Sequence, residues 1–205
     1  MHQEVLSDKQ KIIFSKLNNF NDFYLAGGTA LALEIGHRIS VDFDLFSEES
    51  ISEKLLTKVK NVFSGENVSI SVNNFDELTI FIDGVKVTFL KYPFPVLFDF
   101  IDFDGVKLLN TKEIASTKAY TIGRRGSYKD YVDLYFILYE NHIFLNEILE
   151  ISEKKFKNEF NGRLFLEQLV YLDDIEDLDV IFLKNKIDKK TIIEFFVNEI
   201  KKVKI

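Results

Sequence analysis

The segment FYLAGGTALALEIGHRISVDFDLF, residues 23–46, constrains the fold of this chain more than any other stretch. Its first apolar run ends at the pair Gly27-Gly28, and glycine pairs allow a sharp backbone turn. Thr29 is placed to cap a helix that we expect to reach about His37. A second apolar run follows, so the segment predicts a strand, a glycine turn, a helix and a second strand.

Two aspartates, Asp42 and Asp44, lie two positions apart in the second predicted strand, where side chains at this spacing share a face. Helix N-terminal N–H groups point at anions, and Mg²⁺ takes carboxylate and phosphate oxygens as ligands. A Gly-Gly turn alone is commonly just a turn, and an Asp-x-Asp pair alone is often a solvated strand edge. Their order and spacing together predict a site for a metal-bound triphosphate. Asp42 and Asp44 are the expected metal ligands, Mg²⁺ or Mn²⁺ the expected cofactor, and phosphoryl or nucleotidyl transfer the expected chemistry.

Two stretches of the chain also resemble a known family. GGTALAL followed by HRISVDFDLF resembles the first motif of the AbiEii/AbiGii toxin family of nucleotidyltransferases, within the DNA polymerase β-like superfamily. KAYTIGRRGSYKDYVDLYFIL resembles the later motifs of that family, a lysine-bearing helix followed by Lys-Asp-x-x-Asp-Leu. The resemblance spans about residues 23–138 and implies a nucleotidyltransferase fold and activity.

The second block of the resemblance implies roles for three residues. Lys118 would contact the triphosphate, Asp130 would be a general base or active-site organiser, and Asp133 would assist it. Acids in the first turn of a helix are also favoured by the helix dipole. A structural role for Asp130 and Asp133 is therefore equally open from their spacing alone.

The resemblance also exposes one departure from the superfamily pattern. A third acid on a neighbouring strand commonly completes the metal site, and the resemblance places that position at or near Thr88. Either Asp42 and Asp44 suffice, another residue supplies the charge, or metal-dependent chemistry is impaired. This question stays open at the level of the sequence.

Further cations and the glycine turn complete the predicted phosphate site. Arg38 follows the first helix and is expected to bind a phosphate or to link the two halves of the motif through an aspartate. Lys86 shares a strand face with Thr88, within reach of a bound phosphate or simply facing solvent. The candidate nucleotide- and phosphate-binding residues are Gly27, Gly28, Thr29, Arg38, Lys86, Lys118 and Asp133.

The remaining pattern predicts an α+β fold. Residues 51–63 read as an amphipathic helix with a Ser50/Glu53 capping box, and from Val68 three alternating runs read as antiparallel strands, the last two joined by an Asp83-Gly84 hairpin. A looser segment, 97–109, contains a second turn at Asp104-Gly105. The sequence predicts a mixed sheet with flanking helices over residues 1–109.

The second half of the chain reads as helical. Expected helices run from Asn110 to about Ile122, from Tyr128 to about Tyr139 and from Lys189 to about Lys202, with a basic turn at 123–127. We therefore expect a nucleotidyltransferase-like core, residues 1–109, followed by a helical region, residues 110–205, packed on it.

Composition excludes several other classes of protein. The chain has no cysteine, which rules out disulfides and thiolate–metal sites, and His37 and His142 are isolated, which argues against zinc. The net charge of −7 argues against strong nonspecific binding to nucleic acid. No apolar run reaches about 18 residues, so we expect no membrane span and a cytoplasmic location.

The leading hypothesis is transfer of NMP from an NTP to an acceptor, either the 3′ end of a tRNA or a protein. The resemblance implies the toxin of a type IV toxin–antitoxin or phage-defence system, with a possible cognate antitoxin as partner. One alternative is a non-catalytic nucleotide-binding or interaction module on the same fold, motivated by Thr88. Another is a metal-dependent phosphohydrolase that uses Asp42 and Asp44.

Overall fold

The computed structural model describes residues 1–176 and 179–203 and divides them into two compact units. The first unit consists of Met1–Pro95 and Asp99–Leu109, and the second of Val96–Phe98 and Asn110–Ile205. None of the helices in the described ranges combines the length and apolarity needed to cross a membrane.

The first unit is built on a seven-stranded mixed sheet in the order β3-β4-β5-β2-β1-β7-β6. The strands are β1 (Tyr24–Ala26), β2 (Phe43–Ser47), β3 (Val68–Asn73), β4 (Glu77–Ile82), β5 (Val85–Lys91), β6 (Ile101–Phe103) and β7 (Val106–Leu108). Strand β1 is antiparallel to β2, which is parallel to β5, and β4 is antiparallel to both β3 and β5. The predicted mixed sheet with flanking helices is confirmed.

One face of this sheet forms the core of the first unit. Phe43, Val87, Phe89 and Ile80 are fully buried, because alternate residues of each strand point to the same side. The Phe14 ring packs 6.3 Å from that of Phe43. The side chains of Asp44 and Thr88 therefore lie on the opposite face.

Three helices flank this sheet along the chain: α1 (Asp8–Leu17), α2 (Gly27–Ile35) and α3 (Leu55–Val62). Ser7 caps α1 in a reciprocal capping box with Gln10, in agreement with its sequence. The predicted Ser50/Glu53 capping box is wrong, because α3 starts at Leu55 with no side-chain cap. The Ile51 N–H donates to the carbonyl of Phe75 at 3.0 Å, a long-range contact outside the helix.

The segment after β5 is more regular than its sequence indicated. The turn at Asp104-Gly105 is confirmed, with φ of 53° and 78°. It joins β6 and β7, whose three-residue strands are too short to give a readable alternation, and β7 pairs with β1.

The described part of the second unit is helical. Its helices are α4 (Thr111–Arg125), α5 (Tyr128–Tyr139), α6 (Leu145–Phe156), α7 (Gly162–Leu169) and α8 (Lys189–Ile200). Helix α4 continues through Gly123, so most of the predicted basic turn is helical and only Gly126 and Ser127 separate it from α5. An isolated glycine lowers helix propensity by about 1 kcal/mol, which packing of the rest of α4 overrides.

Candidate active site

The glycine turn opens α2 directly. Gly27 has φ +66°, a left-handed conformation that favours glycine, and it is the first residue of the helix. The N-cap residue is Ala26, which makes no side-chain capping hydrogen bond. Because the first N–H groups of a helix lack partners within it, this uncapped terminus is suited to bind an anion.

The carboxylate of Asp44 lies against this turn. Asp44 pairs with Ala26 across β1 and β2, and a Cβ placed on Gly27 would lie 2.8 Å from Asp44 Oδ2. Asp42 immediately precedes β2, and like Asp44 it is partly exposed, whereas Phe43 between them is fully buried. Asp42 and Asp44 thus both lie on the side of the sheet opposite Phe43, and the Asp44 carboxylate together with the glycine turn forms the candidate site.

Thr29 does not cap α2, which corrects the prediction from sequence. The helix begins two residues earlier, and the Thr29 hydroxyl bonds to the backbone carbonyl of Asp42 and lies 2.8 Å from Ser40 Oγ. Gln10, buried in α1, donates from Nε2 to the Ser40 carbonyl at 2.7 Å. The hydroxyl of Thr29 therefore binds the segment that carries Asp42, and the backbone N–H of Thr29 is the group that belongs to the helix terminus.

Arg38 approaches the same turn from the other side. Arg38 is 3% exposed, and its Nη1 donates to the Ile39 carbonyl at 3.0 Å. A Cβ on Gly28 would overlap Arg38 Nη2. Both glycines are therefore required by close neighbours, one by a carboxylate and the other by a cation.

Thr88 occupies the position next to Asp44 in the parallel pair of β2 and β5. Thr88 also pairs with Thr79 of β4, with their hydroxyl oxygens 3.3 Å apart. Thr79 Oγ1 in turn donates to Glu77 Oε1 at 2.5 Å. Lys86 lies on the same face of β5, one position before Val87, the partner of Phe43.

Sequence reasoning missed Glu77, Thr79, Ser40 and Gln10. Glu77 and Thr79 alternate with apolar residues in β4, but only the register of three strands aligns Thr79 with Thr88 and Asp44, and Glu77 reaches this group through its contact with Thr79. Gln10 and Ser40 carried no signal, since their contact joins residues 30 positions apart.

The donor set of this pocket fits a hard divalent cation. Mg²⁺ commonly takes one or two protein carboxylates together with substrate phosphate oxygens, and Asp42 and Asp44 supply two carboxylates beside an anion-binding helix terminus. Within the described ranges no group of three or more His, Asp and Glu side chains is arranged to hold a metal.

The other three predicted site residues form a cluster in the second unit. Lys118 of α4 is 8% exposed, and its Nζ lies 2.6 Å from Asp130 Oδ1 and 2.7 Å from Asp133 Oδ2, both on α5. Since the lysine lies between two carboxylates, this arrangement joins α4 to α5.

The Asp130 carboxylate has further partners. Asp130 Oδ2 accepts hydrogen bonds from the backbone N–H of Ser127 at 3.1 Å and from its hydroxyl at 3.0 Å, which caps α5. Its neighbour Tyr131 is fully buried, and burial, with a smaller contribution from the Asp130 charge, raises the pKa of Tyr131 to about 12. Tyr131 is therefore neutral at physiological pH, and Asp130 is held in place by both α4 and the start of α5.

The chain matches one family model and one curated protein. The model of the AbiEii family, described as nucleotidyl transferase toxins of type IV toxin–antitoxin systems, matches residues 12–201. An uncharacterised protein of Aquifex aeolicus is 34% identical over 168 residues, which cover 77% of each chain.

Two solved Helicobacter pylori structures share the fold. One protein, assigned as a nucleotidyltransferase, is 20% identical with a TM-score of 0.58, covering 96% of this chain and 95% of its own. The other, JHP933, is 19% identical with the same TM-score, covering 96% of this chain and 92% of its own. At this level of identity the two structures support the fold alone.

Proposed function

The chain belongs to the AbiEii family of nucleotidyl transferase toxins, and from this premise we propose that its pocket at Gly27–Gly28 and Asp44 binds an NTP and transfers the NMP. In this reaction an acceptor oxygen attacks the α-phosphorus, the bond to the β-phosphate oxygen breaks, and pyrophosphate leaves. The observation that carries the proposal is the contact of the Asp44 carboxylate with the glycine turn at the uncapped start of α2.

The glycine turn is proposed to bind the triphosphate through backbone N–H groups. These groups at the start of α2 have no side-chain cap, and the helix dipole favours negative charge there. Arg38 adds a positive charge beside Gly28, and Lys86 adds one on the neighbouring strand face. Together they would orient the triphosphate and offset its charge.

Asp42 and Asp44 are proposed to hold Mg²⁺ or Mn²⁺, which when bound supplies positive charge to the triphosphate. Thr29 supports this role by fixing the Asp42 carbonyl, so that the carboxylate of Asp42 stays on the same face as that of Asp44. Preorganisation of this kind lowers the cost of arranging charged groups during the reaction.

For the second unit we propose an organising role in preference to a base. Both carboxylate oxygens of Asp130 already accept hydrogen bonds, Oδ1 from Lys118 and Oδ2 from Ser127, so the side chain links α4 to the start of α5. Lys118 with Asp130 and Asp133 then sets the relative position of α4 and α5.

We propose an RNA 3′ end, with tRNA as the first candidate, as the acceptor, and a cognate antitoxin as the partner that limits the activity. The family is the toxin part of a type IV toxin–antitoxin system, which supports the existence of an antitoxin. A protein acceptor is the other outcome of the experiment below.

The experiment is incubation of the purified protein with each of the four NTPs labelled at the α-phosphate, with Mg²⁺ or Mn²⁺ and with total tRNA. We expect label on RNA from at least one NTP, and loss of at least about 100-fold in Asp44→Asn, the range seen when a group that stabilises transition-state charge is removed. The same NTP labelled at the γ-phosphate should release labelled pyrophosphate and leave the RNA unlabelled.

Two results would contradict this function. Release of labelled phosphate in place of pyrophosphate would identify a phosphohydrolase. Calorimetric binding of an NTP with no transfer to RNA or protein would identify a non-catalytic nucleotide-binding module, the function that threonine at position 88 favours.

A further inference from the structure

We propose that Thr88 serves as a neutral ligand toward the cation held by Asp42 and Asp44, and that Glu77, acting through Thr79, orients the Thr88 hydroxyl for this purpose. The inference rests on the proposed function, since it concerns the same pocket. Under this proposal the site binds a cation although position 88 carries threonine and not an acid.

The strand register aligns three polar side chains of the first unit. Asp44, Thr88 and Thr79 are consecutive partners across β2, β5 and β4, so their side chains form one row on the face of the sheet opposite Phe43. Thr79 is 3% exposed and Thr88 is 8% exposed. Buried hydroxyl groups need defined hydrogen-bond partners, because an unpaired one costs free energy.

The distances from the Thr79 oxygen to its two neighbours indicate where its hydroxyl proton points. Thr79 has a single hydroxyl proton, and its oxygen lies 2.5 Å from Glu77 Oε1 but 3.3 Å from Thr88 Oγ1. Bonds to a carboxylate are shorter and stronger than bonds to a neutral hydroxyl, so the Thr79 proton goes to Glu77. In this proposal the Thr88 hydroxyl then donates its own proton to Thr79 Oγ1, 3.3 Å away.

A hydroxyl group that donates its proton in one direction presents its lone pairs in another. When the Thr88 proton points toward β4, the lone pairs of its oxygen point away from β4, on the side of Asp44. A threonine hydroxyl in this state is a suitable Mg²⁺ ligand, as the Ser/Thr of phosphate-binding loops shows. The negative charge of Glu77, transmitted through two hydroxyl groups, increases the electron density on that oxygen.

Cross-strand threonine pairs also occur simply because they stabilise sheets. A threonine pair that only stabilises the sheet needs no carboxylate beside it. The contact of Glu77 with Thr79 fixes the direction of the hydroxyl protons, and this favours a role of the pair in binding the cation. Glu77 is therefore a positioning residue in this proposal, and Thr88 is the residue that contacts the cation.

The test measures Mn²⁺ binding by electron paramagnetic resonance, without nucleotide, on the full chain. Loss of an outer-shell partner of a metal ligand typically lowers affinity by about tenfold or more, so we expect about a tenfold loss in Glu77→Gln and a similar loss in Thr88→Val. The double variant should lose no more than the larger single effect, because the two residues act as one unit. Thr88→Asp should bind at least as tightly as the wild type, and adding Glu77→Gln to it should cost nothing.

Thr121→Val is the matched control, since it removes a hydroxyl that donates to the Thr117 carbonyl within α4, and its Mn²⁺ affinity should be unchanged. Wild-type affinity in Thr88→Val and Glu77→Gln, with reduced affinity in Asp44→Asn, would overturn this inference and leave the proposed function intact. Wild-type affinity in Asp44→Asn would overturn both. A change in the urea midpoint of Glu77→Gln with no change in Mn²⁺ affinity would identify a purely structural role.

Discussion

At the scale of single residues, the two glycines of the turn have different neighbours and different reasons to lack a side chain. Gly27 combines a left-handed backbone with the carboxylate of Asp44, whereas Gly28 accommodates the guanidinium of Arg38. A helix terminus that carries an acid on one side and a cation on the other can bind a phosphate through its N–H groups without repelling the metal. The turn is thus a part of the site and not only a connection between β1 and α2.

Gly27→Ala tests this interpretation. We expect a loss of about 1–2 kcal/mol in the free energy of unfolding from the left-handed backbone alone, with a further loss of Mn²⁺ affinity as Asp44 moves away from the new methyl group. Urea unfolding and Mn²⁺ titration measure the two effects. Gly65→Ala is the control, because Gly65 has no atom within 4 Å of its would-be Cβ, and its stability should stay within about 0.5 kcal/mol of the wild type. Unchanged Mn²⁺ affinity in Gly27→Ala would contradict the close contact.

At the scale of elements, a buried ion pair holds part of the second unit together. Glu113 of α4 and Lys155 of α6 are both fully buried side chains, and they form a direct ion pair. Glu113 also accepts hydrogen bonds from the backbone N–H groups of Leu97 and Phe98, the latter at 3.0 Å. One carboxylate therefore ties two helices and the segment 96–98 together.

Lys155→Met is expected to destabilise the protein by roughly 3–5 kcal/mol, because it leaves the Glu113 carboxylate buried without its cation. The exposed neighbour Lys154 provides the control, and Lys154→Met should change the free energy of unfolding by less than about 0.5 kcal/mol. Urea unfolding followed by circular dichroism compares the two variants. Equal stability of both would show that the pair adds nothing to the fold.

Among the elements, those with local sequence signals could be predicted, and those set by long-range contacts could not. Helix α5 was predicted at its observed bounds, because its apolar residues and flanking turn are local signals. The start of α3 at Leu55 was missed, and residue 51 instead makes a long-range hydrogen bond to the Phe75 carbonyl that the sequence does not show. The Glu77–Thr79–Thr88 contacts were missed for a similar reason, since they exist only once β4 and β5 are paired.

At the scale of the whole molecule, the family motif divides between the two units. The glycine turn, Arg38, the acidic pair and Lys86 belong to the first unit, while Lys118 and its two aspartates belong to the second. The first group contains the two carboxylates and the cations that the proposed metal–triphosphate site needs, and in the second group Lys118 forms ion pairs with both aspartates. We therefore propose that the first unit carries out the chemistry and that the second group supports the helical region.

A crystal structure with Mn²⁺ and a non-hydrolysable NTP analogue would show directly whether the proposed site holds the metal and the triphosphate. We predict an anomalous scattering peak bonded to the carboxylates of Asp42 and Asp44, with triphosphate oxygens on the N–H groups at the start of α2. An analogue and metal bound elsewhere on the protein, with neither aspartate in contact with the cation, would contradict it.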